Sequence, residues 1–158
     1  MMKKFATRAL VTGMIAIAGF TSLTVGAPQQ ASAATEKSLA LVSIGQKYLG
    51  TPYLYGATPG STSYFDCSSY VQHVFGEMGI WLPRTSSAQA WMGQKVDKAY
   101  LSVGDLVFFR TGGSGISHVG IYAGDGKMLN TTGNTGVALV NMNSNYWKNT
   151  YVTARRVL

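Results

Sequence analysis

The chain carries one cysteine, Cys67, and two histidines, His73 and His118. A thiol, an imidazole and a polar group that orients the imidazole make up a nucleophilic acyl-transfer site. Cys67 follows Asp66, a good helix N-cap, and precedes apolar residues at Val71, Val74, Phe75 and Met78, spaced i, i+3, i+4, i+7. That pattern puts the thiol in the first turn of a helix, where the positive end of the backbone dipole favours thiolate. Gly79 supplies the stop. His73 lies on the same helix, out of phase with Cys67, and reads as a partly exposed helix residue. His118 opens a β-rich segment after the Gly/Ser loop Thr111 to Gly115 and is the better base.

Asn130 lies beyond a hairpin signal, Gly124-Asp125-Gly126, and is the candidate orienting group. Register decides whether it can serve. A two-residue loop pairs Ile121 with Asn130 and puts the amide on the face opposite His118. A three-residue loop, or a bulge, pairs Gly120 with Asn130 instead. His118 and Asn130 then share a face as diagonal neighbours, about 7–8 Å apart in the backbone and within side-chain reach.

The elements that must position these groups can be read from period and punctuation. Ala34 to Leu49 reads as a helix with Leu39, Val42 and Gln46 on one face, ended by Gly50-Thr51-Pro52. Ala57 to Ser63 is a small-residue loop, and Ile80 to Pro83 is extended. A short helix is expected within Arg84 to Met92, capped by a Ser or Thr. The second half changes period. Strands are expected at Leu106–Phe109, Ser117–Ala123, Lys127–Asn130, Gly136–Val140 and Tyr151–Val157. Helices first and strands last argue for an α+β fold with a mostly antiparallel sheet.

Composition narrows the function classes. Lys3, Lys4 and Arg8 precede an uncharged stretch, Ala9 to Val25, and Ala31-Ser32-Ala33 fits a small-x-small cleavage site. Residues 1–33 therefore read as a secretory signal peptide. The stretch falls short of the roughly 20 strongly apolar residues of a stable membrane span. Removing 33 of the 158 residues leaves 125, enough for one core and too few for two. The net charge of +7 includes three leader cations, so the remainder, 34–158, is mildly basic. Its cations are scattered, which suits an anionic polymer such as a cell wall and excludes a nucleic-acid site. One cysteine cannot form an internal disulfide, and an exported free thiol needs a chemical reason. Two histidines and a cysteine at unrelated spacings make no ligand set, so no metal or cofactor is expected.

Five ordered motifs now stand together: Gly50-Thr51-Pro52-Tyr53, Phe65-Asp66-Cys67-Ser68, Leu82-Pro83-Arg84-Thr85-Ser86, Gly104-Asp105-Leu106-Val107-Phe108-Phe109 and His118-Val119-Gly120-Ile121-Tyr122. Their order and spacing closely resemble the NlpC/P60 family of papain-like cysteine peptidases, from about Leu39 to Val157. The resemblance implies Cys67 as nucleophile, His118 as base and Asn130 as the third polar residue. It implies a substrate cleft lined by Tyr53, Asp66, Ser68, Arg84 and Ser86. It further implies an endopeptidase of peptidoglycan stem peptides, acting on the bond between γ-linked D-glutamate and a diamino acid; with the leader, a secreted protein is expected, and a monomer. Alternatives on the same scaffold are an amidase, an acyltransferase or a catalytically silent wall-binding protein. Three features depart from the family pattern: Tyr55-Gly56-Ala57 after the first tyrosine, a loop to Cys67 about two residues longer, and Ser69 after the Cys-Ser pair.

Overall fold

The computed structural model describes residues 33–158. The expected leader, residues 1–33, lies outside the described residues except for its last. Four helices are present among them: α1 (Glu36–Gln46), α2 (Cys67–Glu77), α3 (Ser86–Gln89) and α4 (Asn145–Thr150). Six strands are β1 (Gln94–Val96), β2 (Leu106–Phe109), β3 (His118–Gly124), β4 (Lys127–Thr132), β5 (Gly136–Asn141) and β6 (Tyr151–Arg156). They form one antiparallel sheet in the order β1-β6-β2-β3-β4-β5. The α+β expectation holds. β1, α4 and a 3₁₀ turn at Lys98–Tyr100 had no counterpart in the sequence reading.

Strand alternation gives the sheet two apolar faces. Leu106, Phe108, Val119, Ile121 and Leu129 pack under α1 and α2, with Leu41, Tyr70, Val71, Val74 and Phe75. Val107, Phe109, Met128 and Ala154 turn the other way, and Trp147 of α4 and Met142 cover them. Burying both faces explains why β2 reads as an unbroken apolar run.

α1 corrects the sequence reading. Its buried residues are Ser38, Leu41, Val42 and Gly45, whereas Leu39 and Gln46 are exposed. The face in contact is made partly of small residues because a neighbour comes close. A Cβ on Gly45 would sit 2.7 Å from the Tyr70 hydroxyl oxygen. That hydroxyl donates to the Gly45 carbonyl at 3.0 Å. A count of apolar residues does not see a glycine chosen for close approach.

Candidate active site

α2 begins where the sequence placed it. The Ser69 N–H donates to Asp66 Oδ1 at 2.8 Å, and the Asp66 N–H donates to Ser69 Oγ at 2.9 Å. This reciprocal pair satisfies two backbone donors at the helix start. Ser69, one of the departures from the family pattern, is thus half of the cap. Asp66 is held from a second side by Arg84, whose Nη1 lies 3.0 Å from Asp66 Oδ1 and 2.9 Å from Ser68 Oγ. Burial alone would push the Asp66 carboxyl up. Hydrogen bonds from Arg84 and Ser69, with the Arg84 charge, overcome that and hold it below its usual range. The Gly56 N–H also donates to Asp66 Oδ2, so the loop from Tyr55 is tied to the cap.

Cys67 follows directly and is free and buried. Its Sγ lies 3.9 Å from the Ser117 carbonyl oxygen and also meets the Val119 N–H, so it touches the chain on both sides of His118. Burial pushes the thiol above its ordinary range, and the Asp66 charge adds to the rise. The Val119 and Ser68 N–H groups oppose this and do not win. The expectation that the helix start favours thiolate is therefore corrected: desolvation is the larger effect.

His118 is 7% exposed, and burial lowers its pKa to about 4. Both shifts act against charge: desolvation disfavours the Cys67 thiolate and the His118 imidazolium alike. Asn130 Nδ2 lies 3.2 Å from His118 Nε2. The register is the one this contact needs. Ile121 pairs with Leu129 and Tyr122 with Met128, which brings Gly120 opposite Asn130. The hairpin loop has two residues, Asp125 and Gly126, both at positive φ, and a bulge at Ala123 restores the shared face. With Asn130 on Nε2, Nδ1 is the nitrogen left for the thiol. Asn130 Oδ1 is buried without a partner. Turning the amide over would present this oxygen to an Nε2–H as acceptor.

His73 is separate from this group. Its Nε2 lies 2.7 Å from the Tyr48 hydroxyl and 3.1 Å from Glu77 Oε1, and the Tyr48 O–H also donates to Glu77. It is partly exposed, as its helical phase predicts.

Two cavities meet at this centre. One, of about 470 Å³, is lined by Cys67 together with Tyr53, Asp66, Ser68, Arg84 and Ser86, all five of the expected cleft residues. The other, of about 530 Å³, is lined by His118, Thr131, Thr132, Tyr146 and Trp147. Tyr53 lines both. Residues 50–156 match the model of the NlpC/P60 family. The chain belongs to the NlpC/P60 family. It is 37% identical to the gamma-DL-glutamyl hydrolase of Bacillus subtilis over 134 residues, 84% of this chain and 32% of that protein. It is 46% identical to an Escherichia coli protein named murein DD-endopeptidase MepS/murein LD-carboxypeptidase, over 59% of this chain and 50% of that one. A solved NlpC/P60 family protein from Bacillus cereus superposes with a TM-score of 0.72 at 35% identity, covering 77% of this chain and 40% of that one. The chain thus spans about a third to a half of the length of these relatives.

Among the cavity residues that the sequence reading missed, one lies directly on the imidazole. Trp147 stacks on His118, with ring centroids 5.1 Å apart and planes at 28°. Ser144 ahead of Asn145-Tyr146-Trp147 is a helix N-cap signal that could have flagged α4. Nothing in the sequence links that segment to His118.

Proposed function

We propose that this chain is an exported cysteine peptidase, acting as a monomer on the stem peptides of bacterial peptidoglycan. The bond cut is the amide between γ-linked D-glutamate and the following diamino acid. One observation carries the reading: a free thiol heads α2 against the backbone on both sides of His118, a buried imidazole with one nitrogen taken by Asn130.

Because burial disfavours the charged form of both partners, proton transfer accompanies attack. His118 takes the thiol proton as Sγ bonds to the carbonyl carbon. The oxyanion is met by the backbone N–H of Cys67, at the first position of α2, which has no acceptor within the helix. The hydroxyl of Tyr53, a residue that lines both cavities, is the second donor. The imidazolium then protonates the leaving amine, the C–N bond breaks and a thioester remains. Water attacks the thioester, gives its proton to His118 and releases the acid, and the proton returns to Sγ. The acyl half occupies the Cys67 cavity, with the Asp66–Arg84 pair in its wall. The amine half occupies the His118 cavity.

Bond choice is supported by the likeness to a gamma-DL-glutamyl hydrolase. The E. coli relative's name specifies different bonds, so the experiment must read the bond itself. Purified muropeptides digested with the wild type and with Cys67→Ala should be compared by mass spectrometry. New fragments ending in γ-D-glutamate, absent with Cys67→Ala, are expected. Fragments from any other bond, or equal digestion by the variant, would refute the assignment.

A further inference from the structure

His118 is held at one edge by Asn130, and an edge contact fixes only rotation within the ring plane. A second contact is needed to fix the plane itself, and it comes from α4. Trp147 is 9% exposed and lies face to face with the imidazole, 28° from parallel. It is itself braced. Phe109 meets it edge-on at 4.8 Å between centroids and 64°, and Tyr146 meets it at 4.8 Å and 77°. Phe109 also reaches the imidazole, at 6.1 Å. β2 therefore supports the stack from beneath, because Phe109 pairs with His118 across the β2–β3 ladder.

We propose that Trp147 is a positioning residue of the reaction: its indole fixes the plane of the His118 imidazole and shuts water away from one of its faces. This rests on the acyl-transfer reading above for its purpose, but not for its detection. Two consequences follow from the geometry. At rest the covered imidazole is kept from hydration, so it stays neutral and available as a base. When it takes the thiol proton, the resulting cation lies over an aromatic face, which attracts it. The two effects act on the same imidazolium in opposite senses: lost hydration disfavours it, and the aromatic face offsets part of that cost. The indole also forms part of the wall where the leaving amine would sit. A purely structural wall residue would act on substrate binding, not on the imidazole.

The test uses the full chain with Trp147→Phe, Trp147→Leu and Trp147→Ala. Phe keeps an aromatic face, Leu keeps apolar bulk without one, and Ala keeps neither. Iodoacetamide alkylation of Cys67 against pH reads the Cys67–His118 pair without any wall substrate. Carbon-bound imidazole proton shifts in NMR read His118 directly, with His73 as an internal reference. Trp147→Ala should move the His118 titration from about 4 toward the ordinary 6.5, and the acid limb of alkylation should move with it. On a stem peptide, kcat should fall by up to about a hundredfold, the scale of a misplaced catalytic group, with KM changed much less. Trp147→Phe should retain most of both properties and Trp147→Leu should not. The proposal is overturned if a folded Trp147→Ala or Trp147→Leu enzyme keeps the wild-type titration, or if the loss falls on KM alone. Should Ala fail to fold, the Phe and Leu pair decides by the same criteria. A wild type that cuts no stem peptide would defeat the peptidase reading, yet the titration would still report on Trp147.

Discussion

Taking Cys67 out of water raises the energy of its thiolate, and taking His118 out of water raises the energy of its imidazolium. Both penalties favour the neutral pair, and this sets the pH behaviour. An imidazole base with a pKa near 4 is available well below neutrality. The acid limb of kcat/KM should fall between pH 4 and 5, and a limb at 6.5 would show a solvated histidine. Stability carries the same sign. The folded pKa lies below the unfolded one, so the unfolded chain binds the proton more readily. The contribution of neutral His118 is complete above about 6.5 and is lost as pH falls toward 4. Asp66, held low, adds its own loss only below its ordinary 3.8. Urea midpoints should therefore drop from pH 7 to pH 4.5, and drop less in His118→Phe. The two histidines also differ in role. His118→Ala should cost roughly 10²–10⁴-fold in kcat/KM, the range for a lost general base. His73→Ala should leave kcat/KM unchanged, since its partners are Tyr48 and Glu77. Asn130→Ala should give a graded loss, because a neutral amide orients the ring and does not offset its charge. Equal losses at His73 and His118 would reassign the base.

At the scale of elements, legibility followed how local the cause was. α2 could be read because its cap, period and stop all lie within one short stretch, and the structure reproduces each. β2, β3 and β4 could be read from their apolar content. The bulge at Ala123 could be stated only as a condition, because the sequence leaves the loop length open while the sheet decides it. α4 and β1 were missed: each owes its place to distant partners, Trp147 to Phe109 and His118, and β1 to β6. The wall of the cleft is another long-range product. The Gly50 N–H donates to the Val137 carbonyl at 2.8 Å, and the Val137 N–H donates to the Thr51 carbonyl at 2.9 Å. β5 thereby pins the segment that carries Tyr53. Gly136 makes this approach possible. It sits at φ 62°, and a Cβ there would lie 2.4 Å from the Thr51 carbonyl oxygen. Gly136→Ala should destabilise the fold by about 1–3 kcal/mol, the usual cost of such strain, and raise KM through displaced Tyr53. Denaturant unfolding and steady-state kinetics would check both. A variant with native stability and native KM would show that the two segments are not coupled.

For the whole molecule, the question is where the working protein starts. The structural feature that bears on it is Thr35. Its hydroxyl accepts from the Ser38 N–H at 3.1 Å, and its own N–H donates to Ser38 Oγ at 2.9 Å, a closed capping box at the head of α1. α1 is fastened in turn to α2 through Tyr70 and Gly45. Among the described residues, the first capping contact of the fold is this box at Thr35. The Ala31-Ser32-Ala33 signal would release a chain starting at Ala34, one residue ahead of that cap. A cut a few residues later would remove Thr35 and leave the first N–H groups of α1 without their partner. The cost would be about 1 kcal/mol, the scale of a lost N-cap. N-terminal sequencing of protein from the culture medium should give Ala34. A version beginning at Ala34 should melt at the temperature of the full chain, while one beginning at Leu39, or a Thr35→Ala variant, should melt several degrees lower. Recovery of intact Met1 from the medium, or a cleavage site inside α1, would contradict processing near Ala34. It would leave the site at Cys67 and His118 unaffected.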